Sequence, residues 1–195
     1  MNHSTKTWLS EENFPSVPVH FAGNGSVLWS IFHLERSADQ TRRSQRQHSS
    51  TIAQSLLRNL ARTHLGPAEV FEVSKEPSGR PVIKLVGSTL MASISHSRDY
   101  VCVALAREEQ MMVGIDVEFH EPNRNVEAML QSVGCKDVGL SVEAFYDAWC
   151  RYEARFKATG IDERNKQPEM CVSTLPVPEQ YTGILVWSQK QPVAQ

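Results

Sequence analysis

The 195-residue chain contains neither Cys-x-x-Cys nor His-x-x-x-His. Its four cysteines, Cys102, Cys135, Cys150 and Cys171, are scattered along the chain. That excludes the common zinc frameworks and a disulfide scaffold, and points to reduced thiols and a cytoplasmic protein. No apolar run is long enough to span a membrane, and Met1 to Ser10 lacks the apolar centre of a signal peptide. Net charge is only −2, from 20 basic and 22 acidic side chains. That balance argues against a bulk nucleic-acid or membrane binder. No internal repeat is visible, and no Gly-x-Ser-x-Gly elbow marks a serine hydrolase.

What is present suits one large domain or two halves sharing a core, since 41% of the residues are hydrophobic. Residues 1–27 are rich in Asn, Ser, Pro and Gly and read as a loop or arm. Val27 to Leu34 reads as a strand. Ser37 to Ser50 is polar and carries Arg42, Arg43, Arg46 and His48. Ile52, Ala53, Leu56, Leu57, Leu60 and Ala61 then recur at helical spacing, giving a helix over Ser50 to His64, stopped by Gly66-Pro67. Strands follow at Val70–Val73, Val82–Val86, Leu90–Ile94 and Tyr100–Ala106, with Ser97 to Asp99 as a hairpin tip. Val126 to Val133 suggests a short amphipathic helix. A longer one starts with Ser141 as N-cap and ends at Gly160, with Val142, Phe145, Trp149 and Phe156 on its apolar face. Met170–Leu175 and Tyr181–Trp187 are closing strands.

Chemistry concentrates in two places. Met111 to Phe119 is an apolar, β-branched run that contains Asp116 and Glu118. On a strand these two carboxylates share one face and Ile115 and Val117 the other. Like charges this close call for a cation or a raised pKa, and a hard cation such as Mg²⁺ suits carboxylate oxygens. The bland alternative is a strand end whose carboxylates face water. In the long helix, Trp149, Glu153 and Lys157 stand four apart along one face. Taken alone, Glu153 and Lys157 make an ordinary intrahelical ion pair. The arginines at 42, 43 and 46 are either a solvated helix face or a phosphate site. Ser95-His96-Ser97 is no hydrolase pair, because adjacent strand residues point to opposite faces.

Taken in order, four segments resemble the 4′-phosphopantetheinyl transferases of the surfactin-synthetase type, within the holo-acyl-carrier-protein synthase superfamily. They are Gly79-Arg80-Pro81, Ile94-Ser95-His96-Ser97, Gly114-Ile115-Asp116-Val117-Glu118 and Trp149-x-x-x-Glu153-Ala154-x-x-Lys157-x-x-Gly160. The resemblance covers residues 79 to 160. It implies an α+β pseudo-dimer of two similar halves, residues 1–110 anchoring coenzyme A and residues 111–195 carrying the catalytic and metal residues, with the site in the cleft between. It implies transfer of phosphopantetheine from coenzyme A to a serine of an apo acyl or peptidyl carrier protein, with release of 3′,5′-ADP. Asp116, Glu118 and Glu153 would hold Mg²⁺, or Mn²⁺ in its place. Glu153, Lys157 and Asp116 would be the catalytic residues, with Glu153 as base and Lys157 at the pyrophosphate. Arg80, Ser95, His96, Arg42 and Arg46 would contact coenzyme A. Two halves in one chain would make a monomer sufficient, with no nucleic-acid or membrane partner.

The chain departs from that pattern at Tyr152, where the family has a lysine before the helical glutamate, and in the short interval between Glu118 and Trp149. Two other readings follow. One is a non-catalytic module that binds coenzyme A or a carrier protein. The other is a Mg²⁺ phosphohydrolase using the same carboxylates.

Overall fold

Strict alternation along Tyr100–Ala106 (β6) organises the molecule. Val101, Val103 and Leu105 face one core, whereas Cys102, Ala104 and Ala106 face another. The computed structural model describes residues 17–35, 41–67, 70–126, 128–129, 141–161 and 168–188. It shows an α+β arrangement of antiparallel sheets and two long helices. The larger sheet has six strands: His20–Ala22 (β1), Val27–His33 (β2), β6, Ser88–Ser97 (β5), Pro81–Leu85 (β4) and Phe71–Lys75 (β3), in that spatial order. The smaller has three: Val113–Phe119 (β7), Tyr181–Ser188 (β9) and Met170–Thr174 (β8).

The layers run helix, sheet, sheet, helix. Arg42–Leu65 (α1) lays Ile52, Leu56, Leu57 and Leu60 on the outer face of the larger sheet, against Leu28, Ile83, Val103 and Leu105. The inner face meets Ile115, Val117 and Leu185 of the smaller sheet. Val142–Thr159 (α2) covers the far side of that sheet through Cys150, Ala154 and Ala158, packed against Met170, Ile184 and Val186. Within the larger sheet β6 pairs with β2, the strand that precedes α1, and within the smaller β9 pairs with β7, the strand that precedes α2.

Several sequence expectations need correction. Residues 20–22 form an edge strand inside the expected N-terminal loop, paired with β2. Three residues are too few to show an alternation. Helix α1 begins at Arg42 rather than Ser50, with Thr41 as N-cap accepting from the Ser44 amide at 3.2 Å. Its first two turns carry no apolar periodicity because they are mostly exposed. Strand β5 runs on through Ser97, so His96 stands within a strand, and the hairpin turn is Arg98-Asp99. The apolar face expected for α2 is right at Phe145 and Trp149 and wrong at its ends: Val142 is 50% exposed and Phe156 44%. Phe145 is buried as expected and Trp149 packs beside it, and the rest of the burial falls on Tyr146, Cys150, Ala154 and Ala158. In the short helix expected over Val126 to Val133, residues 126, 128 and 129 are helical and residues 130–140 lie outside those described. The expected arm over residues 1–16 and most of the charged loop after Ile161 also lie outside them. Among the described residues no helix is long and apolar enough to cross a membrane.

Candidate active site

The site forms where α2 crosses β7. Gly114 permits that crossing: a Cβ there would stand 1.9 Å from the Ala154 carbonyl oxygen. Small residues at 114, 154 and 158 let helix and strand backbones approach closely, which brings polar side chains on the flanking positions together. Gly114, Asp116 and Glu118 lie on the α2 side of β7, and Ile115 and Val117 enter the core between the sheets. The expected sharing of one face by Asp116 and Glu118 therefore holds.

Asp116 is 3% exposed. Its Oδ1 accepts from Lys157 Nζ at 2.6 Å and from Ser95 Oγ at 2.8 Å. Lys157 Nζ also reaches Ser95 Oγ at 3.1 Å and the Ile115 carbonyl at 3.3 Å. The helical lysine thus serves the strand aspartate, not the glutamate one turn before it. Asp116 Oδ2 is buried with no hydrogen-bond partner among the described residues. An unpartnered buried carboxylate oxygen is costly and fits a cation or another bound donor.

Glu118 Oε2 accepts from Arg124 Nη1 and from Ser97 Oγ, each at 3.3 Å. Burial, then the Asp116 charge, raises the Glu118 carboxyl above the usual carboxylate range, and Arg124 and Ser97 oppose the rise. Burial, then Asp116, raises Glu153 as well, opposed by Lys157. Glu118 and Glu153 therefore both feel the Asp116 charge. Cys150 lies beside them, its thiol pushed up by burial and by Asp116 and Glu118, and it stays protonated. It is an inert wall of the site and no nucleophile.

Donor chemistry here is carboxylate oxygen, as Mg²⁺ or Mn²⁺ prefers. With the orphaned Asp116 Oδ2, the residues fit a divalent cation. As the chain stands, Lys157 takes the other aspartate oxygen, and among the described residues no three His, Cys, Asp or Glu side chains are gathered into one metal-binding group.

The other expected residues are spread around this centre. Ser95 is buried, and besides Asp116 and Lys157 it accepts the Val117 amide at 3.2 Å. His96 points to the opposite face of β5 and lines a pocket of about 310 Å³ between α1 and the larger sheet, with Gln54, Arg58, Ser74 and Lys75. Partial burial, then the Lys157 and Arg46 charges, holds His96 below the ordinary imidazole range. Arg80 donates through Nη1 to the Ala158 carbonyl at 3.0 Å and pairs through Nε with Glu76 at 3.0 Å, so it fastens the β3–β4 turn to the C-terminus of α2. Arg42 and Arg46 lie on the first turns of α1, where Arg42 is exposed. The structure thus joins Asp116, Lys157 and Ser95 directly, places Glu118 and Glu153 within their field, and leaves Arg42 at the periphery.

Sequence reasoning missed Ser93 and Ser97 as partners of β7, and Arg124 as the partner of Glu118. Ser93 Oγ accepts from the Ile115 amide and Ser97 Oγ from the Phe119 amide, each at 3.0 Å. Serines at every second position of an otherwise apolar strand are the signal that was available.

No family model matches the chain. A curated protein of Haemophilus influenzae is 33% identical to it over an alignment of 141 residues that covers 67% of this chain. That relative carries the provisional name 4′-phosphopantetheinyl transferase, and the chain spans 58% of its length: this chain is similar to such a protein over most of its own residues.

Proposed function

We propose that this protein is a Mg²⁺-dependent 4′-phosphopantetheinyl transferase that takes its group from coenzyme A and places it on a serine of an apo acyl or peptidyl carrier protein. The observation that carries the reading is the Lys157–Asp116 pair, its aspartate buried, in the field shared with Glu118 and Glu153, with one aspartate oxygen left over. The similarity to the Haemophilus influenzae protein supports it. In this reading the two units are the halves of a pseudo-dimer, residues 1–110 and 111–195. The protein is then kin to the surfactin-synthetase type, and it works as a monomer in the cytoplasm.

Asp116, Glu118 and Glu153 would hold the cation, which neutralises charge on the phosphate oxygens when bound. The protein's own groups do the rest. Lys157 brings its ammonium to the carboxylate cluster, and it can turn from Asp116 to a pyrophosphate oxygen. The carrier serine oxygen attacks the pantetheine phosphorus, the anhydride P–O bond breaks, and 3′,5′-ADP departs with the bridging oxygen. Glu153 takes the serine proton. Its raised carboxyl suits it to hold that proton and release it afterwards. Arg58 and Lys75, which line the same pocket as His96, supply cations for the nucleotide end, with Arg46 close enough for its charge to act on His96 and Arg80 at the C-terminal end of α2.

A second reading, a non-catalytic coenzyme A or carrier-protein module, draws on Tyr152 and on Lys157 sitting where a cation would compete for Asp116. One experiment separates them. An apo carrier protein is incubated with this protein, coenzyme A and Mg²⁺, and its intact mass is read beside a chelator control. A gain of one phosphopantetheine, lost with chelator, is expected. No gain on acyl or peptidyl carriers, with coenzyme A still bound, would replace the transferase by the binding module.

A further inference from the structure

Strand β7 is an edge strand of its sheet, and its Ile115, Val117 and Phe119 amides point away from β9. They are met by side chains instead of another backbone. Strand β5, which belongs to the other sheet, runs alongside in parallel and offers a serine hydroxyl to each amide: Ser93, Ser95 and Ser97, at 3.0, 3.2 and 3.0 Å. A serine hydroxyl has one proton to give. Once its oxygen has accepted an amide, that proton has a restricted set of directions. Ser95 sends it to Asp116 Oδ1 at 2.8 Å and Ser97 to Glu118 Oε2 at 3.3 Å. In both rungs the carboxylate belongs to the residue immediately before the accepted amide, so the same two-residue unit occurs twice.

We infer that Ser95 and Ser97 are positioning residues that orient the Asp116 and Glu118 carboxylates for a divalent cation. This rests on the metal-dependent reading above. The third rung gives an internal reference. Ser93 makes the same bond to β7, but the residue before Ile115 is Gly114, which has no side chain and no room for one. Ser93 therefore contributes to the seam alone, whereas Ser95 and Ser97 contribute to the seam and aim a carboxylate. Hydrogen bonds that aim ligating groups typically change metal affinity by about 10–100-fold.

The test is Mn²⁺ binding to the full chain by calorimetry, with urea unfolding midpoints measured in parallel, for Ser93→Ala, Ser95→Ala, Ser97→Ala and Ser97→Thr. All three alanine variants should lower the midpoint. Ser93→Ala should leave the Mn²⁺ affinity within about twofold, while Ser95→Ala and Ser97→Ala weaken it about tenfold or more. Ser97→Thr, which keeps the hydroxyl, should restore it. If Ser93→Ala weakened Mn²⁺ binding as much as Ser97→Ala, or if Ser97→Ala left it unchanged, the serines would be a seam and nothing more. Should Ser95→Ala fail to fold, the Ser93 and Ser97 variants still decide the matter. Absence of Mn²⁺ binding by the unaltered chain would remove the metal reading itself, and this inference with it.

Discussion

Helices α1 and α2 cover opposite outer faces of the molecule and do so with different materials. Helix α1 buries four large aliphatic side chains, Ile52, Leu56, Leu57 and Leu60, with Ala53 and Ala61 beside them. Helix α2 meets β7 and its sheet with Cys150, Ala154 and Ala158, opposite a glycine. Large side chains hold a helix away from its sheet and fill the gap with apolar volume. Small ones bring the backbones together, so the next residues along the same helix, Glu153 and Lys157, land beside the carboxylates of the strand. One helix is docked for stability and the other for proximity. Chemistry accompanies the second.

This contrast can be broken most forcefully at the close approach. Gly114→Ala puts a Cβ 1.9 Å from the Ala154 oxygen, so α2 must lift off. A loss of at least about 3 kcal/mol is expected, together with loss of the Lys157–Asp116 contact. Leu57→Ala in α1 should cost a similar amount, roughly 2–5 kcal/mol, through a cavity. It should leave that contact in place. Urea unfolding combined with coenzyme A binding separates the two: both variants are destabilised, and only the glycine variant loses binding out of proportion.

Next in size is the charge that proximity creates. Lys157→Met strands the buried Asp116 carboxylate, and should destabilise the chain by about 3 kcal/mol near neutral pH. Adding Asp116→Asn to it should recover part of that loss. A double variant no better than Lys157→Met would mean that the pair carries little of the docking energy.

The raised carboxyls give a smaller effect of opposite sign. Glu118 and Glu153 hold protons more tightly folded than unfolded. Between the ordinary carboxylate pKa and their raised values the folded state binds more protons. Stability therefore falls as pH rises through that window and stays lower above it. Glu118→Gln or Glu153→Gln should stabilise the chain at pH 7 and flatten that fall, read from urea midpoints between pH 5 and 8. Leu57→Ala should cost the same throughout. Glutamine variants less stable than the parent at pH 7 would contradict the direction assigned to these groups.

The N-caps give the mildest comparison. Ser141 accepts from the Ala144 amide and Thr41 from the Ser44 amide, each at 3.2 Å. Ser141→Ala should cost about 1 kcal/mol. Thr41→Ala should cost less, because it frays mainly exposed turns ahead of the buried part of α1. Equal losses in Tm would show that the polar start of α1 is coupled to its core.

The same contrast explains what could be read from the sequence. Strand β7 was legible because its alternation is strict, and α2 was bounded correctly by Ser141 and Gly160, an N-cap and a left-handed C-cap. The core of α1 was legible because leucine recurring at helical spacing marks a buried helix face. The apolar face of α2 is legible at Phe145 and Trp149 but not where the helix meets the smaller sheet, because the residues there, Cys150, Ala154 and Ala158, are small, whereas the large Val142 and Phe156 are exposed. The carboxylates and the lysine were found, but not their pairing. Spacing four along a helix favours Glu153 with Lys157, and only the crossing angle at Gly114 delivers Lys157 to Asp116. The serines of β5 escaped because their partners lie 22 residues away on an element of another sheet.

That side-chain join bears on how such a molecule can vary. Backbone ladders are indifferent to most substitutions, since every residue but proline supplies the same amide. Between β5 and β7 each rung depends on a particular side chain. Single substitutions can delete a rung or change it to threonine, leaving both sheets whole. Descendants of one gene can thus adjust how firmly their two units grip, and how their acidic pair is aimed, in steps of one hydroxyl.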